Sequence, residues 1–315
     1  MLPNLRTLAL TALAPLAWGS TYLVTTEYLP PDRPLLTATL RALPAGLLLL
    51  AFARRLPKGG WWWRVLLLGS LNITLFLALL FVAAYRLPGG VAGVLGAIQP
   101  LVAAGLAVPL LGERAGGRAV LAGVAGVFGV ALVVLKATAQ LDTVGVLAGL
   151  AGAGVMALGT VLTKRWGRPE GVGPLAMTGW QLTAGGLLLV PIALLVEGAP
   201  PALTGVNLLG YLYLAVPNTA VAYWLFFRGV GKLPASSVAF LGLLSPVSAT
   251  VLGWVFLHQS LTALQMLGMG IALGSTVAGA LFAVRRGSAG RVVAEVQPAP
   301  APAPAPARVR ARLGS

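Results

Sequence analysis

The side chains that could do chemistry in this chain are a few polar groups set inside long apolar runs. They are one cation, Arg41, and four neutral groups, Asn72, Asn218, Gln99 and Ser245. A polar group is costly in an apolar environment unless it is hydrogen-bonded or faces a polar cavity. These residues therefore predict either hydrogen bonds between helices or a site that binds a polar molecule.

Arg41 is the only cation well inside one of these runs, and it has two interpretations. It lies about seven residues, roughly 10 Å along a helix, from the start of its run. If its side chain reaches toward water or pairs with Glu27, its role is structural. If it faces a cavity, it is suited to hold an anionic group of a ligand.

Known catalytic patterns are missing from the sequence. The one histidine, His258, stands beside Gln259 in a predicted loop, whereas a metal site needs three or four donors. No pair of carboxylates falls inside an apolar run, and the chain has no cysteine for redox chemistry. The stretch RGVGKLPA, from Arg228, lacks the first glycine and the Ser or Thr of a phosphate-binding loop. We expect no enzyme activity, no cofactor and no metal.

The composition is that of an integral membrane protein. The chain is 58% hydrophobic and 9% charged, with a mean hydropathy of +0.90. A membrane-spanning helix needs about 20 mostly apolar residues. Ten runs meet this length, so the predicted fold class is all-α with ten transmembrane helices, at 8–28, 34–53, 65–86, 89–111, 118–136, 143–163, 173–195, 206–227, 234–257 and 262–284.

The chain also contains two similar halves. The segment LPGGVAGVLGAIQP, from Leu87, is echoed 146 positions later by LPASSVAFLGLLSP, from Leu233. A second echo, 140 positions apart, sets RALPAGLLLL against QLTAGGLLLV. Duplicated apolar segments are typical of secondary transporters. At these spacings the equivalent pairs are Asn72 and Asn218, Gln99 and Ser245, Pro100 and Pro246, and Arg41 and the neutral Gln181.

The paired prolines lead to a predicted cavity. Proline inside a helix removes a backbone donor, so we expect helix kinks at Pro100 and Pro246. Irregular backbone near the middle of a membrane is where transporters place substrate. The aromatic Trp224 is a further candidate for the wall. The predicted substrate cavity consists of Trp18, Tyr22, Arg41, Asn72, Gln99, Asn218, Tyr223 and Ser245.

Basic residues predict the orientation. If the amino terminus is inside, the outer loops hold only Arg33, Arg86 and Lys136 among basic residues, and all other Lys and Arg near span ends are inside. The positive-inside rule then predicts that both termini are cytoplasmic. Since five spans invert the second half, we predict inverted repeats at 1–138 and 141–286. A disordered Pro/Ala/Arg-rich tail at 287–315 follows.

The predicted partners are a small-molecule substrate and the lipid bilayer. The net charge of +15 is assigned to loops beside lipid headgroups rather than to nucleic acid. Small-residue pairs indicate close helix packing within the chain, with a homodimer face as the alternative. These pairs are Gly145/Gly149, Gly270/Gly274 and Ala125/Gly129.

Several segments resemble the EamA branch of the drug/metabolite transporter (DMT) superfamily, in particular its PecM-like members. They are WGSTYLVTTEYLPPDRP, RALPAG, FVAAYRLPGG, GAIQPL and LTKRWGRPEG in the first part of the chain, with TGWQL, GYLYLAVP and LGLLSP further on. The resemblance implies ten helices in two EamA repeats, cytoplasmic termini and export of small metabolites, often amino acids or their derivatives. PecM-type members are also associated with pigment efflux. The chain departs from the pattern where His258-Gln259 replaces a second Gly-Glu pair like Gly112-Glu113.

We therefore expect an inner-membrane secondary transporter that exports small metabolites by alternating access. The alternatives are a non-transporting scaffold or sensor that uses the tail, and a membrane-embedded enzyme. Every carboxylate lies at a span end or in a loop, and pairing with Arg41 would keep Glu27 charged. We consequently expect transport down the substrate gradient rather than coupling to protons.

Overall fold

The computed structural model describes residues 2–87, 95–96, 98–112, 116–134, 142–256, 262–264, 266–275 and 278–279. Throughout these residues the regular secondary structure is helical. The features predicted at Glu113, Lys136, His258, Gln259 and in the tail at 287–315 lie outside the described residues.

The helices follow one another with short connections. In chain order they are α1 Leu2–Tyr28, α2 Pro34–Ala53, α3 Trp61–Arg86, α4 Gln99–Leu111, α5 Gly117–Val134, α6 Thr143–Trp166, α7 Pro174–Glu197, α8 Gly205–Val230, α9 Ala235–Leu241, α10 Leu244–Phe256 and α11 Met266–Ser275. Six of the described helices are long and apolar enough to cross a membrane, namely α1, α2, α3, α6, α7 and α8. The chain is thus an all-helical membrane protein.

Two π-helical turns interrupt α3 and α8 at equivalent places. They cover Ser70–Leu75 and Val216–Val221, 146 positions apart. In α8 the cause is local, because Pro217 has no backbone N–H to donate. In α3 no proline is present, and the turn coincides with a hydrogen bond of 2.9 Å from the Thr74 hydroxyl to the Gly185 carbonyl of α7. A π turn changes the direction of the side chains around it and often marks a functional site.

The paired prolines begin helices rather than bend them. Between α9 and α10 the chain turns at Gly242 and Leu243, so Pro246 falls in the first turn of α10. Pro100 likewise is the second residue of α4. Proline is tolerated there because the first N–H groups of a helix have no intrahelical acceptor. The predicted kinks at Pro100 and Pro246 are therefore corrected to helix starts.

The closest helix pair in the bundle is α2 against α7. A Cβ atom at Gly46 would lie 2.6 Å from Thr183 Oγ1 and 2.7 Å from the Leu182 carbonyl carbon, and one at Gly186 would lie 2.8 Å from Leu43 Cα. Gly46 and Gly186 are equivalent at the 140 spacing, as are Leu43 and Thr183. The contact is thus reciprocal. Exchanging the two halves of the chain relates other helix contacts in the same way. Helix α1 of the first half packs on α8 and α10 of the second, and α6 of the second half packs on α3 and α4 of the first.

One end of the bundle is acidic. The carboxylate of Glu197, at the end of α7, accepts hydrogen bonds from the first N–H groups of α2, at Leu35 (2.5 Å) and Leu36 (2.9 Å). Asp142 caps α6 and pairs with Arg86 at 3.2 Å. The Gly145 N–H and Arg86 together hold the pKa of the Asp142 carboxyl below its usual value.

The opposite end of the bundle is basic and aromatic. Arg64 lies over the rings of Trp61 (5.1 Å), Trp63 (5.5 Å) and Trp166 (5.8 Å), a geometry typical of cation–π contacts. The Trp180 indole donates to the Arg55 carbonyl at 2.6 Å. Eight further basic residues lie at this end, namely Arg54, Arg55, Lys58, Lys164, Arg165, Arg168, Arg228 and Lys232.

The α2–α7 contact generates a prediction. Gly186→Ala would place a methyl group against the backbone of Leu43, and such overpacking costs about 1–3 kcal/mol. We expect the protein in detergent to melt several degrees lower, as measured by circular dichroism. Gly154→Ala on α6 is the control, since a Cβ there meets nothing within 4 Å. Equal melting temperatures for the two variants would contradict the reciprocal packing.

Candidate functional site

A cavity lies between α1, α3, α6 and α8, beside the starts of α4 and α10. Its walls include Gly96 and Gly242, which are equivalent in the two halves. Six of the residues predicted for the cavity line it, namely Trp18, Tyr22, Arg41, Gln99, Tyr223 and Ser245. Arg41 is the one charged residue among the described lining residues.

The paired asparagines do not line the cavity, contrary to expectation. Asn72 and Asn218 are fully buried, and each sits in a π turn that points its side chain at a neighbouring helix. Their alternative role, hydrogen bonding between helices, is the one the structure shows. Trp224 is also absent from the cavity wall.

Asn218 connects three helices. Its amide nitrogen donates to the Ala17 carbonyl (2.7 Å) and to Ser20 Oγ (3.2 Å) in α1. Its side-chain oxygen accepts from Thr21 at 3.2 Å and from Arg41 at 2.7 Å. Its backbone carbonyl accepts from the Trp18 indole at 3.0 Å. All these contacts are made by one residue of the π turn. Helix α8 therefore holds Trp18 in place in the cavity wall.

Arg41 is held by neutral groups. Its Nε donates to Thr219 at 2.7 Å, one terminal nitrogen to Asn218 at 2.7 Å, and the other to Thr21 at 3.4 Å. Its side chain is 1% exposed. Glu27 is exposed at the end of α1 and is not a partner of Arg41. The predicted Arg41–Glu27 pair is therefore wrong, because Arg41 is buried among neutral acceptors while Glu27 is exposed.

The equivalent cluster in the other half is neutral. Asn72 donates to Gln181 Oε1 at 2.8 Å and to Thr163 Oγ1 at 3.1 Å. Gln181 stands where Arg41 stands in the first half. A Cβ at Gly159 would lie 2.7 Å from Asn72 Cγ, so the side chain packs directly on the α6 backbone. Among the described residues, the Asn72 side-chain oxygen has no hydrogen-bond partner.

Aromatic rings form the apolar wall of the cavity. The Trp18 ring centroid lies 4.9 Å from that of Tyr223 and 5.1 Å from that of Phe226, both tilted contacts. Phe76 and Tyr22 line the same space. These rings provide flat surfaces on which an apolar or aromatic body can pack.

Sequence reasoning missed the threonines that hold Arg41. Thr21 and Thr219 are buried, and a threonine in an apolar helix carries little signal of its own. One signal was available, since Thr21 follows Trp18 by three residues and so shares its helix face. Each hydroxyl oxygen accepts a hydrogen bond from the Arg41 guanidinium group without adding a charge to the site.

These features define a multi-pass helical membrane protein with a cavity between its helices. The chain belongs to the EamA-like transporter family, which matches it twice, over residues 5–135 and 143–279. The resemblance noted in the sequence is thereby confirmed.

Individual relatives cover most of the chain. Protein PecM of Dickeya dadantii is 45% identical over 256 residues, which is 81% of this chain and 86% of that protein. The uncharacterized transporter YvbV of Bacillus subtilis is 31% identical, over 85% of this chain and 89% of its own length. A WAT1-related chloroplastic protein of Arabidopsis thaliana is 32% identical, over 81% of this chain and 65% of its own length.

A solved crystal structure supports the fold. It superposes with a TM-score of 0.74 at 19% identity and covers 89% of this chain and 98% of that one.

The two asparagine clusters generate a matched prediction. Asn218→Ala removes one of the two closest oxygen acceptors of a buried cation, whereas Asn72→Ala removes a donor between neutral groups. We expect Asn218→Ala to lower the free energy of unfolding by roughly 1–3 kcal/mol more than Asn72→Ala. Unfolding in mixed detergent micelles measures both. Equal losses of unfolding free energy in the two variants would show that the charge of Arg41 does not make its hydrogen bond to Asn218 more stabilising.

Proposed function

We propose that this chain is a secondary transporter of the inner (plasma) membrane that exports small organic metabolites by alternating access. The observation that carries the proposal is the cavity between the two halves. Equivalent positions of both halves line it, Gly96 and Gln99 from one, Gly242 and Ser245 from the other. A transporter built from repeats binds substrate in this kind of place.

The architecture we propose is ten spanning helices in two inverted five-helix repeats, at 1–138 and 141–286. Four shorter apolar helices accompany the six long ones in the described residues, at Leu101–Leu111, Val120–Gly129, Val247–Phe256 and Met266–Ser275. The reciprocal α2–α7 contact and the π turns 146 positions apart support this arrangement. An odd number of spans in the first repeat inverts the second.

The proposed orientation puts the basic end of the bundle in the cytoplasm, with both chain termini. The support is the contrast between the Arg- and Lys-rich end and the end that carries Glu197 and Asp142. On the basic side α1 and α8 meet closely at Thr11 and Gly229.

Plugging the cavity tests transport directly. Gly96 lines the cavity, and a Cβ there meets no described atom within 4 Å, so Gly96→Leu adds bulk at the cavity wall. We expect it to reduce efflux at least ~tenfold in a strain that overexpresses the protein, since the substrate site is occupied. Compounds are found by comparing this strain with its parent against a panel of amino acids, drugs and pigment precursors.

Gly105→Leu in α4 is the matched control. It also has an open Cβ position, and it does not line the cavity. Efflux should remain normal in this variant, and both variants should melt like the unaltered protein. Normal efflux through Gly96→Leu would contradict the cavity as the transport path.

Alternating access is tested with single cysteines, because the chain has none. Gln99→Cys should react with a membrane-impermeant thiol reagent both in intact cells and in inside-out vesicles, since the cavity opens to each side in turn. Leu187→Cys, on an exposed apolar face, should react in neither. Reaction from one side alone would refute alternating access.

A further inference from the structure

Arg41 carries a charge that the described part of the protein does not neutralise. Its three hydrogen-bond partners, Thr21, Asn218 and Thr219, are neutral, as is the Phe81 ring 5.8 Å from the guanidinium carbon. The described cavity lining holds no Asp or Glu. The ion pair found in the described residues, Arg86–Asp142, lies at the end of the bundle. A cation buried without a counter-ion costs several kcal/mol.

The fold does not require a cation at this place. At the equivalent position in the second half, Gln181 accepts from Asn72 at 2.8 Å and is fully buried. A neutral amide therefore fits the same helix pair, and the charge of Arg41 calls for a further explanation.

The guanidinium group also keeps donors free. It has five N–H groups, and the described residues accept from one on Nε, one on Nη1 and one on Nη2. One N–H thus remains on each terminal nitrogen. Two donors can be satisfied by the two oxygens of a carboxylate.

The rest of the cavity favours a flat apolar body. Trp18, Tyr22, Phe76, Tyr223 and Phe226 line it, and such rings stack on planar groups. An ammonium group would find no carboxylate in the described lining and would be repelled by Arg41. Gln99 and Ser245 offer neutral hydrogen bonds to polar substituents.

We propose that the substrate is a small organic anion, an aromatic or otherwise planar carboxylic acid without an amino group, whose carboxylate binds Arg41. The inference rests on the proposed transport function and names the chemistry of its substrate. Occupation of the site supplies the counter-ion that Arg41 lacks, so ligand binding should stabilise the whole bundle.

Three probes of matched size test the charge preference on the unaltered full chain in lipid nanodiscs. They are phenylacetate, the neutral phenylacetamide and the cationic phenethylamine, each titrated by calorimetry. We expect phenylacetate to bind at least ~tenfold more tightly than phenylacetamide, because the amide has no negative charge and carries an NH2 donor in place of one acceptor oxygen. Phenethylamine should bind most weakly. Equal affinities, or a preference for the amine, would overturn the proposal without any mutant.

Variants of the chain then test whether Arg41 causes the preference for phenylacetate. Arg41→Gln, which copies the residue of the other half, should lose the distinction between phenylacetate and phenylacetamide, and Arg41→Lys should keep part of it. Arg168→Gln, at the exposed basic end, should bind as the unaltered chain does. If Arg41→Gln still prefers phenylacetate by the full factor, Arg41 is not the carboxylate site.

Counterflow in proteoliposomes separates this proposal from the transport function. Transport of neutral or cationic compounds that Gly96→Leu blocks, without binding of phenylacetate, would leave the transporter standing and overturn the anion inference. Binding of phenylacetate that depends on Arg41, without counterflow of any compound, would support the anion site and contradict transport.

Discussion

A guanidinium group buried in a membrane bundle must receive its acceptors from protein or from a ligand or water in a cavity, because lipid provides none. In this chain the acceptors of Arg41 come from α1, through Thr21, and from the π turn of α8, through Asn218 and Thr219. The requirement brings α2 against both helices. It also aligns Trp18 with Asn218, so that the aromatic wall and the cation border one cavity.

The two halves pack equivalent helices in the same way but differ in charge at the buried asparagine clusters. Asn72 and Asn218 both occupy π turns and both reach a neighbouring helix, yet one meets Gln181 and the other meets Arg41. The frame is therefore nearly symmetric, while the electrostatics are not. A symmetric frame suits a protein that alternates between two equivalent states, and an asymmetric charge suits a site that selects one ligand chemistry.

Much of the architecture was predictable from sequence, because lipid imposes length and hydrophobicity on each span. The repeat spacing pairs Gln99 with Ser245, and both residues line the cavity. It could not reveal that Asn72 and Asn218 face neighbouring helices, because a π turn shifts the helix face on which a side chain lies. Arg41 and Glu27 are near in sequence order, but sequence does not tell which helix faces they share.

The prolines show the same limit in the backbone. Pro100 and Pro246 marked irregular backbone correctly, but hydropathy runs through both positions and suggested continuous, kinked helices. The turn at Gly242 and Leu243 divides the second run, and Pro246 then begins a helix instead of bending one. Because Arg41 does not pair with Glu27, that pair is no longer a reason to expect transport down the substrate gradient. The energy source of transport is a separate question.

The most direct test of the central claim is a cryo-electron microscopy reconstruction of the full chain in lipid nanodiscs, with and without phenylacetate. The account predicts the Arg41 side chain against Asn218, Thr21 and Thr219 in both maps, with ligand density on its free N–H edge in the second. A guanidinium group that reaches Glu27 or the water at the end of α2, with the cavity empty in both maps, would contradict it.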